Sequence, residues 1–203
     1  MRSTYEFLYK AFDLFNYNLF NNELPECMIT LQKKRETDNG HFVPIKTWFH
    51  EGDEEGITYE ININPINMNR PLEEILETLL HEMVHYYCTL NNIKDVKSNG
   101  VHTDLFCIQC GSHGLNCVVG EKGYDLTYLK PEVLENIADF IKSYEGKVYY
   151  MCVEKKPVKK NLFKYTCPMC GLKIYAKSDK NVVCGDCGCE LEMEEIEDEG
   201  EVC

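Results

Sequence analysis

Apolar residues recur at helical spacing in several stretches and alternate with polar ones in others. Ser3 and Glu6 stand in capping-box spacing ahead of Phe7, Leu8, Ala11, Phe12, Leu14 and Phe15, which predicts a helix ending near Asn21-Asn22. Short strand-like runs follow at Met28 to Gln32, His41 to Pro44, and Ile57 to Ile63, where Ile57, Tyr59, Ile61 and Ile63 alternate with other residues. Pro71 opens a long helical pattern through Leu72, Ile75, Leu79, Met83 and Tyr86 that runs out near Asn91-Asn92. A short helix is expected around His102, and another from Pro131 to Tyr144, stopped by Gly146. From residue 147 the pattern changes to short, lysine-rich strands punctuated by cysteine. The expected fold is therefore α+β, followed by a small β module.

Charge marks the same boundary. The 203 residues carry a net charge of −13, unevenly spread. Residues 1–146 hold 12 basic and 23 acidic residues, 147–190 hold 9 basic and 4 acidic, and 191–203 hold 7 acidic and none basic. This divides the chain into an acidic domain (1–146), a basic linker and module (147–190) and an acidic tail (191–203) expected to be disordered. No apolar run approaches the ~18 residues of a membrane span, and Met1-Arg2-Ser3-Thr4-Tyr5-Glu6 lacks the apolar segment of a signal peptide. A cytoplasmic protein with no membrane partner is expected. Twelve cysteines in a reducing compartment then point to metal rather than disulfides.

The long helix contains His81-Glu82-Met83-Val84-His85. Histidines at i and i+4 share one helix face, so both imidazoles reach a single Zn²⁺. Glu82 lies one position round, where it serves as general base instead of ligand. A catalytic zinc needs a third protein ligand. His102, after the turn signal Ser98-Asn99-Gly100, is favoured, with His113 or an acidic residue as the alternatives.

With these residues the chain resembles the SprT-like zinc metalloproteases, which include the Spartan proteases. The resemblance rests on Leu14-Phe15-Asn16 with Leu24-Pro25, on Glu60-Ile61-Asn62-Ile63, and on Thr78-Leu79-Leu80 leading into the His-Glu-x-x-His run. It continues to His102 with Phe106 four positions on, although Val101 separates Gly100 from His102 and Thr103 stands where the family often has glycine. The resemblance covers residue 5 to about 117. It implies a small zincin-like domain with the active helix against a short sheet, and peptide hydrolysis as the reaction.

Cys167-Pro168-Met169-Cys170 and Cys184-Gly185-Asp186-Cys187 carry the spacing of two zinc knuckles, so a structural Zn²⁺ in a zinc ribbon is expected beside the catalytic one. Cys189 adds a further thiol. Cys107, Cys110, His113 and Cys117 form a second ligand-like run, read either as another metal site or as small buried residues behind His102. Lys155, Lys156, Lys159, Lys160 and Lys164, with Phe163 and Tyr165, suit a phosphate backbone with unstacked bases or a plain solvated linker. The Spartan resemblance extends the expected protein substrates to those associated with or crosslinked to DNA, with DNA held by segment 155–164 and the ribbon. The rival reading is a non-proteolytic module that docks on nucleic acid or a transcription complex. Glu82 separates the two, because a binding scaffold needs no general base.

Overall fold

A computed structural model describes residues 1–49, 51–52, 54, 56–120, 123–152, 163–176 and 180–194. The chain forms two compact units, Met1–Cys152 and Val153–Cys203.

In the first unit, α1 (Arg2–Leu19) buries Phe7, Leu8, Ala11, Phe12 and Phe15 along one face. The capping box is not formed: Ser3 Oγ instead donates to the Lys147 carbonyl at 2.7 Å, and Glu6 pairs with Lys10. Asn21 and Asn22 leave the helix with positive φ, and the Asn16 side chain clamps the returning chain by bonds to both the N–H and the C=O of Leu24. Strands β1 (Met28–Thr30), β2 (Gly40–Trp48) and β3 (Thr58–Ile63) make a sheet in the order β1-β3-β2, with β1 parallel and β2 antiparallel to β3. Strand β2 runs past Pro44 because its register shifts between Val43 and Trp48, and an irregularity at an edge tolerates a proline that a ladder does not. Asn62, fully buried in the central strand, is satisfied by Thr30 and Gln32.

Helix α2 (Leu72–Leu90) packs on this sheet through Ile75, Leu76, Leu79, Met83, Val84 and Tyr86, and Tyr86 stacks on Phe42 at 5.4 Å. The loop after α2 folds back on itself through a Val96–His102 bridge and a positive-φ Gly100, and Thr103 then caps α3 (Asp104–Ser112) by accepting from Phe106 N–H. A hairpin of β4 (Leu115–Gly120) and β5 (Gly123–Leu129) follows. The residue pattern does not predict it, since Leu126 and Tyr128 are apolar on its outer face and Leu129 on its inner one. Helix α4 (Pro131–Tyr144) returns to α1, with Phe140 stacked on Phe7 at 5.6 Å.

Residues 147–152, which the charge balance groups with the basic module, sit on the first unit. Tyr149 N–H donates to Thr4 Oγ1, Met151 N–H to the Pro65 carbonyl, and Val148 packs against the core. In the second unit, β7 (Lys173–Ala176), β6 (Phe163–Thr166) and β8 (Glu192–Glu194) form a sheet in that order. The start of the acidic stretch therefore belongs to the β module and not to a free tail. Leu191 is buried and its N–H donates to Val182, while β8 pairs with β6. Residues 155–162 of the basic segment and 195–203 of the tail lie outside the described residues. Among the described residues no helix is long and apolar enough to cross a membrane.

A chain ending at Cys152 should unfold cooperatively, whereas one ending at Gly146 loses the hydrogen bonds made by Lys147, Tyr149 and Met151 and the packing of Val148. The shorter form should be less stable by about 2 kcal/mol, read by thermal denaturation as a melting temperature lower by roughly 4–8 °C.

Candidate metal centre and cleft

Helix α2 supplies His81, Glu82 and His85, and the folded-back loop supplies His102. The three Nε2 atoms converge: His85 lies 3.2 Å from His81 and 3.1 Å from His102. All three side chains offer ligand atoms within 4.8 Å of one another. Three nitrogens held tetrahedrally around an ion 2.0–2.1 Å away would stand about 3.3 Å apart, so the spacing fits one zinc ion.

The outer nitrogens settle which lone pairs point inward. His85 Nδ1 lies 2.6 Å from Asp95 Oδ2. A carboxylate only accepts, so Nδ1 carries the proton and Nε2 is left as a donor to metal. Burial alone would raise the Asp95 carboxyl; the hydrogen bond from His85 leads the effects that outweigh it and hold it below its usual range. His81 Nδ1 meets Thr127 Oγ1 at 3.2 Å. Burial, then the neighbouring imidazoles of His85 and His102, hold His81 well below the usual histidine value and so in the neutral, ligating form. Phe106 closes the back of the site, its ring 4.3 Å from His85, 4.3 Å from His102 and 4.9 Å from His81.

Glu82 is only 6% exposed and is not one of the converging ligands. Burial pushes its carboxyl up to about 7, against the opposing pull of His85 and of the Phe42 backbone N–H that faces it. A divalent cation on the three histidines would draw it back down. Room for the carboxylate depends on Gly40: a Cβ there would lie 2.7 Å from Thr78 Cγ2 and 2.9 Å from Glu82 Oε1. The cleft above α2 extends to both sides of Glu82, along Asp38, residues 40–44 of β2 and the 95–102 loop on one side, and along Glu77, Leu126, Thr127 and Tyr128 on the other.

In the second unit Cys167, Cys170, Cys184 and Cys187 bring their Sγ atoms within 4.8 Å of one another, compatible with a zinc ribbon. The two knuckles match: Gly171 N–H donates to Cys167 O and Gly188 N–H to Cys184 O, each glycine at positive φ. Cys170 and Cys184 sulfurs lie 3.7 Å apart, near the ~3.8 Å expected around a zinc with 2.3 Å bonds. Cys189 Sγ lies 3.5 Å from Cys167 Sγ, outside the group of four.

Cys107, Cys110, His113 and Cys117 are not brought together as a ligand group among the described residues. His113 stacks on Phe20 at 4.4 Å and bonds the Gln109 carbonyl, which makes it a packing residue and removes it as a third ligand beside His81 and His85. Cys110 is fully buried, the reading as a small core residue.

Residues 8–114, just over half of the chain, match the SprT-like family. The chain belongs to the SprT-like family. A 34-residue stretch is also 56% identical to a Salmonella typhimurium protein described as "Uncharacterized protein in mucB 3'region". That match covers 17% of this chain and 46% of the Salmonella protein, so the chain spans less than half the length of the curated relative it matches. For a SprT-like protein, the residues that sequence reasoning passes over are Asp95 and Thr127. Nothing in a single sequence separates Asp95 from the other acids, and Thr127 sits on the hairpin whose pattern is ambiguous.

Replacing Asp95 by Asn keeps the shape but weakens the bond that orients His85. Metal affinity should fall about 10- to 100-fold, measured by chelator competition, with the far-UV spectrum unchanged.

Proposed function

We propose that this SprT-like protein is a zinc-dependent endopeptidase with a zincin-like catalytic unit. The observation that carries the reading is the convergence of three Nε2 atoms beside a buried carboxylate at the floor of an open cleft. His81, His85 and His102 would hold the catalytic zinc, and Cys167, Cys170, Cys184 and Cys187 a structural one. Zinc at such a site supplies Lewis acidity that polarises a peptide carbonyl and makes water a better nucleophile at neutral pH.

The chain's own groups do the rest. Glu82 takes a proton from the water that attacks the carbonyl carbon and returns it to the departing amine nitrogen as the C–N bond breaks. The Phe42 N–H faces that carboxylate and favours its charged form. Asp95 and Thr127 fix the two helix imidazoles, so their lone pairs stay aimed inward. A pure binding scaffold would have no use for a carboxylate buried at this cost.

The second unit extends the reading to proteins associated with DNA. Tyr175, 59% exposed, is the register partner of Lys164 across β6–β7, and Lys173 is the partner of Thr166, so basic and aromatic side chains share one face. The lysines at 155–160 would add to it.

Two measurements test this. Glu82→Gln should retain metal and lose at least ~10²-fold in casein hydrolysis; undiminished hydrolysis would sink the mechanism. Single-stranded DNA should bind with a slope of log affinity against log salt of about −2 to −3, from a handful of phosphate contacts. Reversing Lys155, Lys156, Lys159 and Lys160 to Glu should abolish that binding and leave casein cleavage intact. A salt-insensitive ribbon would mean that it contacts protein instead.

A further inference from the structure

We propose that a peptide substrate docks as an added strand on the free edge of β5, anchored by the main-chain N–H and C=O of Thr127. The proposal rests on the peptidase reading of the cleft.

The phase of the hairpin decides which groups that edge presents. β4 and β5 pair as Leu115↔Leu129, Asn116↔Tyr128 and Cys117↔Thr127, and the next pair out, Gly114 and Lys130, is bonded, with Lys130 N–H donating at 2.9 Å. Bonded and non-bonded pairs alternate in an antiparallel ladder, so Tyr128 and Leu126 bond to β4 while Thr127 and Leu129 turn their main-chain groups outward. One contact agrees. The carbonyl of Cys117, opposite Thr127, points away from β5 and accepts from Cys107 Sγ at 3.8 Å. Among the described residues no further strand flanks β5. Its outward edge borders the cleft that also contains His81 and Glu82. An open edge beside a reacting centre is a template for an extended chain.

Strand β2 offers the other edge, and it is poorer. Asn64 N–H donates to Asn39 O, which by the same alternation turns Gly40 and Phe42 outward. The Phe42 N–H faces the Glu82 carboxylate, Pro44 has no N–H, and Gly40 is pressed against Thr78 and Glu82. The side-chain chemistry follows from β5. Val118, Leu126 and Tyr128 are 45%, 44% and 51% exposed on one face of the hairpin. A strand added beside β5 extends that face, and every second residue of it lies along Leu126 and Tyr128. The substrate class is thus an unfolded polypeptide with apolar side chains at alternate positions, the pattern a folded protein hides.

The test uses the full chain carrying Glu82→Gln and an unstructured casein-derived peptide, with binding followed by fluorescence anisotropy and amide hydrogen exchange resolved by residue. At saturation the Thr127 amide should exchange at least tenfold more slowly, with Gly40 unchanged. In the unsubstituted enzyme, N-methylation of successive peptide amides should lower kcat/KM about three- to tenfold at alternate positions and leave those between unaffected. Binding without protection at Thr127, protection at Gly40 instead, loss without alternation, or failure of the peptide to bind the Glu82→Gln chain would each overturn the proposal. The peptidase reading is judged separately, by whether the unsubstituted enzyme cleaves the peptide and Glu82→Gln does not.

Discussion

A carboxylate and two imidazoles on a helix enclosed on most sides must each find a partner, because an unpaired buried charge or polar group costs several kcal/mol. Helix α2 carries Glu82, His81 and His85 among eight apolar residues that are themselves buried. None of the partners comes from α2. Phe42 N–H comes from the sheet edge, Asp95 from the loop that folds back after the helix, and Thr127 from the hairpin. The elements around α2 are thus arranged as much by the polar needs of one helix face as by the core on the other.

That arrangement ties the site to parts of the fold that look incidental. Gly40 has to lack a side chain because β2 passes within van der Waals contact of Glu82, and the same closeness lets Phe42 reach the carboxylate. Asp95 is placed by main-chain bonds of its own loop: Thr103 N–H donates to the Asp95 carbonyl, and Thr103 Oγ1 donates to the Lys94 carbonyl. The Val96–His102 bridge of this loop sets ligand and ligand-orienter side by side. Thr103, where the SprT-like resemblance often has glycine, earns its position by capping α3, and so directs Phe106 beneath the three imidazoles.

What the sequence made legible follows from how local each signal is. His81, Glu82 and His85 are related by helix geometry alone, and the two Cys-x-x-Cys knuckles by turn geometry, so spacing sufficed for both. His102 needed a chain reversal, for which Ser98-Asn99-Gly100 gave a turn signal. Asp95 and Thr127 meet their histidines only through tertiary structure, across 10 and 46 positions of sequence. The hairpin was hidden because apolar residues on an outer face erase the alternation that marks a half-buried strand. The Ser3–Glu6 capping box was legible and not used, since Ser3 bonds to Lys147, a contact between residues 144 positions apart. Charge misplaced the module at both ends for a related reason: it does not register that Val148 and Leu191 are apolar anchors.

A metal ion would matter to the two units in different ways. The first has a core running from Phe7 through Ile61, Leu79 and Tyr86 to Tyr144, and the three histidines lie at its margin. Its fold is therefore supported by apolar burial whether or not the imidazoles hold an ion, and a metal there would serve chemistry more than architecture. Among the described residues of the second unit, Tyr165, Cys167, Cys184 and Leu191 are buried at its centre. Two of these four are thiols of the proposed ribbon site, so the groups that would bind the ion are also half of the core. A centre of that size offsets little of the entropy of ordering three short strands, and ligation of an ion by the four thiols would make up the difference. An ion of the same kind would thus act as a reagent in one unit and as the missing core in the other.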